Sequence, residues 1–99
     1  MKTLTDVALS KMAQLYIDSL SHVLYKLDGE EKQIDFFSKK VVGRMAQAYV
    51  FFDENYKGTI TNIRVIDKDG DIVAKDSRVY ERTTDKALYV AFKHEFTEV

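Results

Sequence analysis

Three aspartates stand two residues apart in Ile63-Arg64-Val65-Ile66-Asp67-Lys68-Asp69-Gly70-Asp71-Ile72-Val73-Ala74. That spacing could gather carboxylates on a divalent cation. An EF-hand loop needs glycine at position 6 and a bidentate Glu at position 12. Counted from Asp67, glycine falls fourth and the twelfth residue is Arg78, so the loop is not an EF-hand. The same stretch works as a tight turn with no ion. Asp67 accepts hydrogen bonds within its own turn, and Gly70 supplies a positive φ at the turn's end. The expectation is a hairpin and no metal.

Nucleophilic chemistry has little to work with. There is no cysteine, which excludes a disulfide, a thiolate metal site and a Cys nucleophile. His22 and His94 are far apart in sequence and no supporting motif flanks either. His94 reads as a partly buried residue of a strand. No Gly-rich phosphate loop, G-x-S-x-G or H-E-x-x-H occurs. Glu30-Glu31 and Asp53-Glu54 read as solvated turn charges. No catalytic residue and no cofactor is assigned. The Asp67 hairpin resembles those of PAS- and Cache-type sensor domains over a few residues, a likeness that turn physics accounts for.

The aromatic residues say more. Six tyrosines and six phenylalanines exceed what one helix-facing side of a sheet needs. Tyr49, Phe51 and Tyr89, with Ala87 and Ala91, form a second semi-apolar face. If Ile63 and Val65 point inward, Arg64 and Ile66 join it. Leftover apolar surface on a small domain marks a partner, and tyrosine suits interfaces. The function expected is therefore a small non-enzymatic protein–protein interaction domain, a regulator, inhibitor or adaptor, that also self-associates as a homo-oligomer. A free sheet edge is a further place to accept a strand. One alternative is a sensor-like module with a small-ligand pocket between helix and sheet around Tyr16, Tyr80 and His94. Another is a single-stranded nucleic-acid binder using Lys39, Lys40, Arg44, Lys75, Arg78 and Arg82 beside Phe36, Phe37 and Tyr80.

Charge weighs against the last. Lys and Arg number 15, Asp and Glu 16, for a net charge of −1. No half of the chain is strongly basic, whereas phosphate contacts leave a basic footprint. Ninety-nine residues, 45% of them hydrophobic, make one ordered domain over 1–99. No leader-like apolar run opens the chain and none is long enough to span a membrane, so a cytoplasmic location is expected.

These side chains need elements to position them. Residues 4–28 read as one long helix, with Leu9, Met12, Ala13, Tyr16, Ile17, Leu20, Val23, Leu24 and Leu27 at helical spacing. Thr3 or Thr5 caps it, and Lys26 with Gly29 stops it. Leu9, Ala13, Tyr16, Leu20, Val23 and Leu27 also keep a heptad rhythm, which suits packing within the chain or dimerisation. Residues 30–44 fit a second helix or a strand hairpinned onto Ala46–Phe52 across Gly43, and β-branched and aromatic crowding favours the strand. Strands follow at Ala46–Phe52, Thr59–Ile66, Asp71–Lys75, Val79–Arg82 and Ala87–Thr97, with a turn at Thr83–Lys86. The fold class is α+β: a long N-terminal helix packed across a four- to five-stranded antiparallel meander sheet.

Overall fold

A computed structural model describes residues 5–53, 56–82 and 87–97. Its elements run α1 (Asp6–Ser19), β1 (Leu20–Leu27), β2 (Glu30–Ile34), β3 (Ser38–Val42), β4 (Met45–Phe52), β5 (Gly58–Asp67), β6 (Ile72–Asp76), β7 (Tyr80–Arg82) and β8 (Leu88–Glu95). One helix followed by antiparallel strands is the α+β class the sequence implies. Two of its details differ from expectation.

The first is the helix. It starts as read: Thr5 Oγ1 accepts the Ala8 N–H at 3.1 Å, and Asp6 sits in the first turn. It ends at Ser19, not near residue 28, and Leu20 turns straight into β-structure with ψ 137°. Residues 20–27 are strand β1, paired with β2 on one side and β5 on the other. The heptad rhythm therefore breaks across two elements, and Val23 and Leu27 belong to a sheet. The overlooked signal is Asp28-Gly29. Both residues have positive φ, 52° and 84°. That is the backbone of a two-residue hairpin, for which Asp-Gly is a favoured pair. Gly29 serves that hairpin and is no helix stop.

The second is the number of sheets. One sheet has the order β2-β1-β5-β6, with β7 also on β5; the other has the order β3-β4-β8. Residues 30–44 supply two strands, one to each sheet, and β3 hairpins onto β4 across Gly43 as the strand reading requires. The helix packs on β3 and β4. Ala13 and Ile17 join Val23, Tyr25, Ile60, Ile63 and Val65 of one sheet and Ala46, Ala48, Val50, Phe52 and Val90 of the other in a single core. The turn at Thr83–Lys86 lies outside the described residues.

Bulges tune which side chains enter that core. Asn62, at φ 52°, is the extra residue of β5 opposite β1, so Ile60 and Ile63 both point inward although three apart. Ser21 and Val73 are extra residues in the strands on either side of Ile66. The three-stranded sheet has none of this. β4 and β8 stay in unbroken register from Met45–Glu95 to Phe52–Leu88.

Candidate interaction surfaces

Alternation along β4 divides its apolar side chains between two environments. Ala46, Ala48, Val50 and Phe52 are all buried in the core. Met45, Gln47, Tyr49 and Phe51 point the other way, to a face on which no element packs among the described residues. Phe96 donates its N–H to Arg44 O at 2.9 Å. Bonded and non-bonded pairs alternate along an antiparallel ladder. Phe51 and Tyr89 thus meet as a non-hydrogen-bonded pair, where side chains come closest. Their rings stack at 4.6 Å. Phe37 completes a three-ring cluster, 5.5 Å from Phe51 and 5.8 Å from Tyr89. Its backbone N–H donates to Tyr49 O at 2.8 Å, which fixes the ring's base. Phe37 is 62% exposed and Tyr89 57%.

The cluster grades into polar surface along β4. Tyr49 donates its hydroxyl to Gln47 Oε1 at 2.7 Å, and Lys40 Nζ lies 5.9 Å from the Tyr49 ring centre. Tyr49, Phe51 and Tyr89 therefore share one face, as their spacing predicts. Phe37 was the member the sequence reading missed, because it lies in the short segment between β2 and β3.

Arg64 and Ile66 do not join that face. They stand on the five-stranded sheet. Ile66 is buried, and its flanking bulges explain why alternation misplaces it. Arg64 is held by Glu31 and donates Nε to Asn62 O at 3.0 Å. The bond from Arg64 holds the Glu31 carboxyl below its usual pKa.

Tyr16 and His94 do come together, with ring centres 6.0 Å apart, and Phe96 packs on both. His94 is exposed at the end of β8, not partly buried. Burial raises the Tyr16 hydroxyl's pKa above that of a free tyrosine. Both line a cleft of about 280 Å³ between β6 and β8. Leu20, Ala48 and Val65 contribute apolar surface to it, Val73, Ala74 and Lys75 flank it from β6, and Ala91, Phe92 and Lys93 flank it from β8.

Tyr80 is elsewhere. Its hydroxyl donates to Asp76 Oδ2 at 2.7 Å, beside the Arg78 Nη2 contact at 2.8 Å. Arg78 above all, with Tyr80, holds the Asp76 carboxyl down at about 2. Burial and the Asp76 acceptor push Tyr80 up to about 12. This cluster pins β6 to β7.

Arg44 and Arg82 are similarly occupied. Arg44 contacts Glu95 at 3.0 Å and Asp6 at 3.8 Å. Arg82 is buried and donates to Asp53 O and Tyr56 O at 2.8 and 3.1 Å. Lys39 and Lys40 belong to opposite faces of β3, opposite Ala48 and Gln47. No continuous basic track forms from these residues.

At the acidic turn, Asp67 Oδ1 accepts the N–H groups of Asp69 and Asp71 at 3.0 and 2.9 Å, and Gly70 has φ 87°. The three carboxylates lie within 4.8 Å of one another because the turn curls them together. Lys68 also donates its N–H to Ser19 O at 2.9 Å, so the turn closes the end of α1. Among the described residues, no helix is long and apolar enough to cross a membrane. Comparison with protein-family models, curated proteins and solved structures returned no match.

Proposed function

We propose that this protein is a non-enzymatic interaction domain whose outer three-stranded sheet face binds protein, including a second copy of itself. The observation that carries this reading is the Phe37–Phe51–Tyr89 cluster: three rings in mutual contact, Phe51 stacked on Tyr89 and Phe37 set edgewise or tilted against both, with Phe37 and Tyr89 more than half exposed, on an unbulged sheet. Rigid aromatic groups lose little conformational entropy on binding and bury a large area each. Gln47 and Lys40 form a polar row on one side of the apolar centre, as the polar rim of a protein interface does. A cytoplasmic regulator, inhibitor or adaptor would use such a face.

Sedimentation equilibrium over about 1 to 500 μM tests the self-association. Concentration-dependent dimer formation that disappears in Phe37→Ser/Tyr89→Ser supports the reading. A monomer throughout, with Phe37 and Tyr89 equally open to a water-borne spin relaxant at every concentration, removes it.

A further inference from the structure

The strand edges of the two sheets are not alike. β2 has five residues and carries Glu30, Glu31 and Lys32; β3 has five and carries Lys39 and Lys40; β6 has five and is bulged at Val73. Short, charged or bulged edges resist strand addition. β8 also carries charge, at Lys93 and Glu95, but it has eight residues in unbroken register with β4, and it ends its sheet. The Phe96–Arg44 bond sets the alternation: Val90, Phe92 and His94 turn their backbone groups to β4. Tyr89, Ala91, Lys93 and Glu95 turn theirs away, toward an edge where no strand pairs among the described residues.

The cleft runs beside that edge, with Ala91, Phe92, Lys93 and His94 along it. At about 280 Å³ it falls just short of the roughly 300–1,000 Å³ of pockets that engulf small molecules. Its lining includes Lys75 and Lys93 and no carboxylate. Arg44, Arg64 and Arg78 each have an acidic partner; Lys75 and Lys93 make no ion pair among the described residues. A cationic groove beside a bare strand edge is complementary to an extended, acidic chain.

We propose that the cleft between β6 and β8 receives an extended acidic peptide segment of a partner protein, its backbone paired to the free edge of β8 and its carboxylates held by Lys75 and Lys93. Apolar side chains alternating with the acidic ones would enter the cleft over Leu20, Ala48 and Val65. This is strand addition, and it does not depend on the outer aromatic face binding anything.

Amide chemical-shift titration of the full chain tests it, with the acetylated, amidated hexapeptide Val-Glu-Val-Glu-Val-Glu as probe. The expected result is saturable shifts at 73–75 and 89–95, and at least tenfold weaker binding by the Val-Lys-Val-Lys-Val-Lys peptide. Lys75→Glu/Lys93→Glu, two exposed positions, should weaken the acidic probe at least tenfold while the rest of the spectrum is unchanged. A probe N-methylated at alternate residues keeps its charges but cannot pair, and should lose binding. Equal binding of the acidic and basic peptides, undiminished binding of the N-methylated probe, or equally tight binding of 3-phenylpropionate alone would each overturn the proposal. Shifts confined to Phe37, Phe51 and Tyr89 would overturn it while leaving the aromatic-face reading standing.

Discussion

Phe51 and Phe52 are neighbours in the chain and opposites in circumstance. Phe52 is fully buried, its ring 5.0 Å from Tyr25 and 5.4 Å from Tyr56. Phe51, one residue earlier, stacks on Tyr89 at the outer surface. The two faces of the three-stranded sheet have similar side chains, aromatic and small aliphatic, and only one faces the helix and the other sheet. Composition does not tell the core face from the outer face here. Position in the alternation does, and so does what the rest of the chain has available to cover each face.

Substitutions can sharpen this contrast. Phe52→Ala removes a ring from the packed side and should cost about 3–5 kcal/mol of unfolding free energy, read by urea denaturation. A cost below ~1 kcal/mol would mean that the inner face is not the core. Gly58→Ala probes the five-stranded sheet. Gly58 has φ 126°, and an added Cβ would fall 2.5 Å from Asp28 Oδ2, a carboxylate that already accepts the Thr59 N–H at 2.9 Å. About 1–3 kcal/mol should be lost by the same measurement.

Asp76→Asn should cost about 1–2 kcal/mol at pH 7, a figure kept low because Arg78 is mostly exposed although the Asp76 side chain is only 8% exposed. The sign with pH follows from the depressed carboxyl. Its proton binds at about 2 in the folded chain against 3.8 ordinarily, so its contribution is complete above pH 3.8 and disappears as the pH falls toward 2. The variant and the parent should therefore converge in stability near pH 2, and a constant gap from pH 7 to 2 would refute the assignment. Phe51→Ser/Tyr89→Ser, on the outer face, should have the smallest effect, within about 1 kcal/mol in stability, while abolishing self-association in the ultracentrifuge. A loss comparable to Phe52→Ala would make the outer face part of the core.

The outer face was legible in the sequence because β4 and β8 alternate without interruption. Tyr49, Phe51 and Tyr89 fall where period-2 reading puts them. The acidic turn was legible for a similar reason: its chemistry is local. The helix boundary was not. Leu20, Val23, Leu24 and Leu27 fit helical spacing, yet β2 and β5 supply hydrogen-bond partners on both sides of the segment, a tertiary fact that outweighs spacing. Ile66 was misplaced because a bulge in each neighbouring strand shifts the count by one. The cleft was half legible. Tyr16 and His94 were named, while Lys75 and Lys93 become neighbours of the same groove only once β6 and β8 are set on opposite sides of it.

The long-range register has a consequence in time. Two hairpins are local, β1–β2 across Asp28-Gly29 and β3–β4 across Gly43-Arg44. The ladders that unite each sheet are not: Leu24 pairs with Arg64 and Ala48 with Phe92, 40 and 44 positions apart. Closing loops that long costs entropy before any contact repays it, which slows folding. During synthesis the early hairpins must therefore wait, their apolar sides uncovered, for strands the ribosome delivers later. β8 is the last of these, and it supplies both Tyr89 and the free edge. Neither the three-ring cluster nor the cleft beside that edge exists until β8 has been made and has found β4.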